Sequence, residues 1–169
     1  MASEIQLYVI RHGLAGDRGE AWPDDTKRPL TPQGVARLRR EVQGLDLLGV
    51  RFDQVLTSPL VRARQTAEIL AQALGPRGGV MAVDALAPGG TPAAVVSALA
   101  EHVRQGSVAL VGHEPDLGQL AARLIGAKAP IPFKKGAVCR IDLDTLPPTH
   151  PGRLVWFAPP KMLRRIGKG

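Results

Sequence analysis

The chain alternates short apolar runs with helix-length amphipathic segments from one end to the other. "IQLYVIRH" (5–12) is rich in β-branched and aromatic residues and predicts a strand. A polar, irregular stretch follows over 13–30, and then Thr31-Pro32 opens a helix. "FDQVLTS" (52–58) predicts a second strand, with Ser58-Pro59 starting a helix that ends at Gly75. "GVMAVDAL" (79–86) is a weaker strand candidate, and Thr91-Pro92 opens a helix over 92–106. "SVALVGH" (107–113) is a strong strand, followed at once by the helix "PDLGQLAARLIG" (115–126). "AVCRIDLD" (137–144) and "RLVWFAP" (153–159) predict two late strands paired antiparallel. Such alternation implies a single-domain α/β/α sandwich with a mostly parallel central sheet and one antiparallel edge region. The nearly continuous apolar runs agree, because strands of parallel sheets are buried on both faces.

No internal repeat and no Ser/Gly linker divides the 169 residues, and 44% hydrophobic residues suffice for a core. We expect one domain over 1–160 and a basic, solvated C-terminal tail over 161–169, "KMLRRIGKG". One cysteine, Cys139, excludes an intrachain disulfide. No run reaches the roughly 18 apolar residues of a membrane span. Together these give the expectation of a cytoplasmic protein that uses no membrane.

The net charge of +7 favours anionic partners. The few aromatic residues do not interleave with the basic ones, so nucleic acid is not expected as a partner. A phosphorylated substrate fits better. In open α/β sheets, ligands bind beyond the carboxyl ends of the strands. Those ends carry Arg11 and His12 after the first strand, Ser58 and then Arg62 after the second, and His113 after "VALVG". A neutral imidazole can attack phosphorus and hold the phosphoryl group covalently. Guanidinium groups match phosphoryl oxygens with a planar fork of donors that stays charged. Arg62 stands near a helix N-terminus, where free N–H groups favour anions. His102 and His150 receive no role. A lone histidine or arginine at any of these positions is ordinary; their joint placement at strand ends is what points to a site.

"RHG" at 11–13, "TSPLVRARQTAE" at 57–68 and "VGHEPDL" at 111–117 resemble the histidine phosphatase superfamily, with its phosphoglycerate mutase-like fold. "DTKRPLTPQG" at 25–34 and the terminal "LVWFAPPKMLR" resemble its short SixA-type phosphohistidine phosphatase branch. The resemblance implies that His12 is the nucleophile that becomes phosphorylated. It implies that Arg11, Arg62 and His113 hold the phosphoryl oxygens, with help from Arg28, and that neither metal nor cofactor takes part. Many members of the superfamily take a general acid from the segment after the third strand. Here that segment reads "VDALAPGGTP", with Asp84 but no glutamate. Asp25, in the D-x-x-R-P-L-T match, is the favoured acid candidate, ahead of Asp17 and Glu114. The expected activity is therefore a phosphatase acting on phosphohistidine in proteins. The alternatives are a phosphatase for small phosphomonoesters or a noncatalytic module that binds phosphate or phosphoproteins.

Overall fold

A computed structural model describes residues 4–76 and 79–168. The elements run β1 (Ile5–Arg11), α1 (Pro32–Leu47), β2 (Gln54–Thr57), α2 (Val61–Leu74), β3 (Met81–Ala82), α3 (Pro92–His102), β4 (Gly106–Gly112), α4 (Asp116–Ile125), β5 (Val138–Leu143), β6 (Arg153–Ala158) and α5 (Pro160–Ile166). They form a six-stranded sheet in the order β3-β2-β4-β1-β5-β6. The first four strands in that order are parallel, and β5 and β6 add an antiparallel edge. This is the expected three-layer α/β architecture.

Alternate residues of the central strands feed two cores. Leu7 and Val9 of β1, with Val108 and Leu110 of β4, pack against α3 and α4 through Leu99, Leu117, Leu120 and Leu124. Tyr8 and Ile10, with Ala109 and Val111, face α1, α2 and α5 through Leu38, Val42, Leu45, Ala67 and Leu163. Successive side chains of a strand point to opposite faces, so a strand covered on both sides must be apolar at every position. The helix that follows β1 lies on one face and the helix that follows β4 lies on the other. The chain therefore parts between these adjacent parallel strands, and a crevice opens at their carboxyl ends.

Two helix starts are as expected. Thr31 Oγ1 accepts from Gly34 N at 2.9 Å, and Thr91 Oγ1 accepts from Ala94 N at 3.2 Å, each with proline in the first turn. Other boundaries differ. The helix expected from Ser58-Pro59 begins at Val61; Ser58 Oγ accepts from Leu60 N at 3.2 Å ahead of it and also lies 2.7 Å from His113 Nε2. The stretch 79–86 pairs with β2 only at Met81–Ala82 and then forms a 3-10 turn. The third helix stops at His102, ahead of Gly106, whose φ of +90° opens β4.

The largest correction concerns the tail. Residues 161–166 are the body of α5, and Leu163 is fully buried against α1. Arg164 donates to the buried Glu41 carboxylate at 2.8 Å. Lys161 and Arg165 are exposed, while Arg164 turns inward to Glu41 and Leu163 completes the core. Gly44 makes the docking possible: a Cβ there would stand 2.3 Å from the Leu163 carbonyl oxygen.

Candidate active site

The parallel register determines which side chains meet. Arg11 pairs with Gly112 across β1 and β4, so His12 and His113 are the next residues on neighbouring strands. Their rings lie 5.1 Å apart, centroid to centroid. Thr57 pairs with Val111, and Ser58 N continues the ladder by donating to Val111 O at 2.9 Å. Three strands thus deliver Arg11, His12, Ser58 and His113 to one crevice. Arg62 enters from the first turn of α2 and Arg28 from the polar stretch after β1. All of these except Ser58 line a cleft of about 280 Å³. His12, Arg28, Arg62 and His113 are each no more than 6% exposed.

His12 Nδ1 lies 2.7 Å from the Gly13 carbonyl oxygen. A carbonyl only accepts, so Nδ1 carries the ring proton and Nε2 keeps its lone pair. Burial is the main cause that lowers the His12 pKa to about 3; the nearby His113, Arg62 and Arg11 add to the shift, against the pull of the Gly13 carbonyl. The ring is neutral at pH 7, as a nucleophile must be. His113 Nε2 lies 2.7 Å from Ser58 Oγ. Ser58 Oγ already accepts from Leu60 N at 3.2 Å, so its own proton is free for His113 Nε2, and that assignment leaves His113 Nδ1 protonated and a donor. Burial, then Arg62 and Arg11, lower the His113 pKa to about 4.

The guanidiniums are set by carbonyls and one carboxylate. Arg11 Nη1 donates to Phe133 O at 2.8 Å. Arg28 Nε donates to Asp25 Oδ1 at 2.8 Å, and its Nη1 donates to Gly16 O. Arg62 donates to the Asp25 carbonyl at 2.9 Å and to Asp25 Oδ2 at 3.1 Å. Among the described residues, three buried donors, Arg11 Nε, Arg62 Nε and His113 Nδ1, have no protein acceptor. Unpaired buried donors cost about 1–3 kcal/mol each. A tetrahedral anion beside them would remove that cost.

Asp25 is placed differently from the general acid it resembled. The hydrogen bond from Arg28, with the charges of Arg62 and Arg28, holds its carboxyl below the usual range. It is ionised at neutral pH and has no proton to give. Its geometry is that of a clamp on two arginines. Of the other acid candidates, Asp17 and Glu114 line the cleft. Glu114 accepts from Gly118 N at 2.7 Å and Phe133 N at 3.2 Å, which ties α4 to the segment before β5. Asp84 starts the 3-10 turn after β3.

Some supporting residues were not foreseen. Thr66 Oγ1 accepts from Gly13 N at 3.0 Å and donates to Arg62 O at 2.8 Å, joining the loop after His12 to α2. Its spacing of four from Arg62 places both on one helix face, which is a usable signal. Gln65 Oε1 accepts from Leu30 N at 2.8 Å and anchors the arginine-bearing stretch. Lys135 lines the cleft from the aperiodic segment before β5, where no pattern marks it.

A family model, the histidine phosphatase superfamily (branch 1), matches residues 7–86. An uncharacterized protein of Picosynechococcus sp. (strain PCC 7002) is 47% identical over 120 residues, covering 69% of this chain and 71% of its own. Phosphohistidine phosphatase SixA of Escherichia coli (strain K12) is 30% identical over 142 residues, covering 83% of this chain and 86% of its own. A solved structure of the protein histidine phosphatase SixA complexed with tungstate superposes with a TM-score of 0.81 at 29% identity. It covers 92% of this chain and 97% of its own. With this identity over most of the chain and this fold, the chain belongs to the histidine phosphatase superfamily and shares its phosphoglycerate mutase-like architecture.

Proposed function

We propose that the protein is a phosphatase that hydrolyses protein phosphohistidine through a phosphoryl intermediate on His12. One observation carries the reading: a buried, neutral His12 imidazole whose Nδ1 is bound to the Gly13 carbonyl, beside Arg11, Arg28 and Arg62.

The steps follow from these groups. The phosphoryl group sits among the guanidiniums and His113 Nδ1, which spread their donors over its oxygens. The His12 Nε2 lone pair forms the new N–P bond while the substrate's N–P bond breaks. The bond's electron pair stays on the leaving ring nitrogen. A phosphohistidine protonated at its other ring nitrogen departs as a neutral imidazole and requires no enzyme acid. His12, now bonded to phosphorus and protonated at Nδ1, is cationic, and the Gly13 carbonyl meets that charge. Water then attacks phosphorus, the N–P electrons return to Nε2, and the water's proton passes to solvent. The positive charge that faces the anionic phosphoryl oxygens comes from arginine side chains, so activity should persist in chelator.

The substrate class is supported by the leaving-group argument and by the phosphohistidine phosphatase activity for which the SixA relative is named. The clamped, ionised state of Asp25 supports it as well. Brief exposure to phosphoramidate, an alkaline quench and peptide mass spectrometry should find phosphate on His12. Phosphate on another residue, or on none, would overturn the intermediate. The His12→Ala variant should lose turnover by several orders of magnitude while retaining phosphate binding. Phosphohistidine protein should be hydrolysed faster than sugar phosphates; the reverse ranking would favour the small-phosphoester reading.

A further inference from the structure

A second groove adjoins the catalytic cleft. Its volume is about 380 Å³, and Arg11 and Lys135 line both. Its floor is apolar, from Leu14, Leu38 and Pro160. Its rim is cationic: Arg37 on α1 and Lys134 and Lys135 ahead of β5 are exposed. The carboxylate lining it, Glu41, is buried beneath the rim, with one oxygen bound to Arg164 at 2.8 Å, so one buried carboxylate faces four cations, Arg11, Arg37, Lys134 and Lys135. Burial and the charges of Arg11 and Arg28 lower the Lys135 pKa, a sign of cations crowded together at the junction. An anionic ligand would relieve that repulsion. A small phosphorylated substrate would fill the catalytic cleft and leave this groove unused.

We propose that the groove seats an acidic segment flanking the phosphohistidine of a substrate protein, with Arg37 and Lys134 as specificity-determining contacts. This rests on the reading of the cleft as a protein phosphohistidine phosphatase. Acidic side chains would meet the rim, and apolar ones would lie on the leucine and proline floor. Rim charges of this kind act on encounter and register. Among the described residues no aromatic side chain lines the groove, so it lacks the aromatic platform on which single-stranded nucleic acid stacks.

The test compares three phosphodonors: a phosphohistidine peptide with Asp/Glu flanks, one with Asn/Gln flanks, and phosphoramidate. The wild-type protein should show the lowest KM for the acidic peptide, an advantage that shrinks with salt. The double variant Arg37→Glu, Lys134→Glu should raise that KM about tenfold or more, as reversed rim charges do. It should leave kcat/KM for phosphoramidate within about twofold. The double variant Arg37→Gln, Lys134→Gln should fall between and guards against a folding defect. Equal wild-type KM values for the two peptides would overturn the groove assignment alone, as would an equal loss on phosphoramidate. So would an RNA oligonucleotide that competes better than an unphosphorylated acidic peptide of the same charge. If the wild-type protein hydrolyses none of the three, the functional reading falls and the groove assignment with it.

Discussion

At the scale of single residues, the site depends on which nitrogen and which oxygen hold protons. His12, Arg11, Arg62, His113 and Arg28 were all legible in the sequence, because each ends a strand, starts a helix or stands in a recognisable string. What could not be read was their hydrogen bonding. Asp25 shows the difference. In the sequence it is an acid near a presumed phosphate; in the fold it is a carboxylate gripped by Arg28 and Arg62 at 2.8 and 3.1 Å. The substitution Asp25→Asn separates the two roles. Loss of the charge frees both guanidiniums, and hydrogen bonds to charged groups contribute about 1.5–3 kcal/mol. We expect kcat/KM to fall about 10- to 100-fold, with weaker vanadate inhibition, while the alkaline limb of the pH profile keeps its position. If Asp25 instead supplied the proton, that limb would disappear and vanadate affinity would hold. Ser58 and Thr66 were less legible for a related reason. Each serves a partner more than 50 positions away in the chain, on the β4 and β1 loops respectively.

At the scale of elements, caps and alternation identified the helices and strands, while their ends depended on tertiary partners. Proline after threonine marked α1 and α3 correctly because the cap is a local bond. Serine before proline marked the turn into α2 but placed its start early: Ser58 Oγ holds Leu60 N and His113 together, and regular helix begins only at Val61. The basic residues of α5 concealed its apolar side, and nothing local shows that α1 has a glycine waiting for it. Two glycines of α1 therefore carry different information. Glycine within a helix ordinarily costs 0.5–1 kcal/mol relative to alanine. At Gly44 that advantage of alanine is cancelled, because its Cβ would stand 2.3 Å from Leu163 O. Gly44→Ala should destabilise the protein by about 1–3 kcal/mol through displacement of α5, typical of overpacking. Turnover at 25 °C should be kept. At Gly34 the Cβ would meet Leu14 O at 2.0 Å, one residue beyond the glycine whose carbonyl orients His12. Gly34→Ala should therefore reduce kcat as well as stability. Urea denaturation of both variants, with kcat measured below the transition, checks the contrast. Equal kcat losses would show that α5 and the His12 loop are not separable.

At the scale of the whole molecule, the layer order and the parallel character followed from strand–helix alternation, while the sheet order did not. Nothing in the runs "IQLYVI" and "SVALVG" says they are neighbours. That pairing puts two buried histidines side by side, and the stability of the entire fold then depends on pH. His12 and His113 have folded pKa values of about 3 and 4, against an ordinary value near 6.5. Between those limits the unfolded chain binds protons that the folded chain refuses, so stability falls as pH falls. Glu41 has the opposite sign. Burial, against the pull of Arg164, raises its pKa to about 7 from 4.5, so the folded chain binds the extra proton and acidification through that range stabilises it. From pH 6.5 down to 4.5, two histidines oppose one glutamate. The folding constant should fall about tenfold per pH unit, one net proton. Asp24, Asp25 and Asp144, whose pKa values are lowered, add their losses below that window. Glu41→Gln removes the opposing group, and the dependence should then steepen to about a hundredfold per unit. Urea titrations at pH 6.5, 5.5 and 4.7 read this directly. A flat profile in the wild-type protein would mean that the paired imidazoles accept protons as readily in the fold as in water, which their burial does not allow.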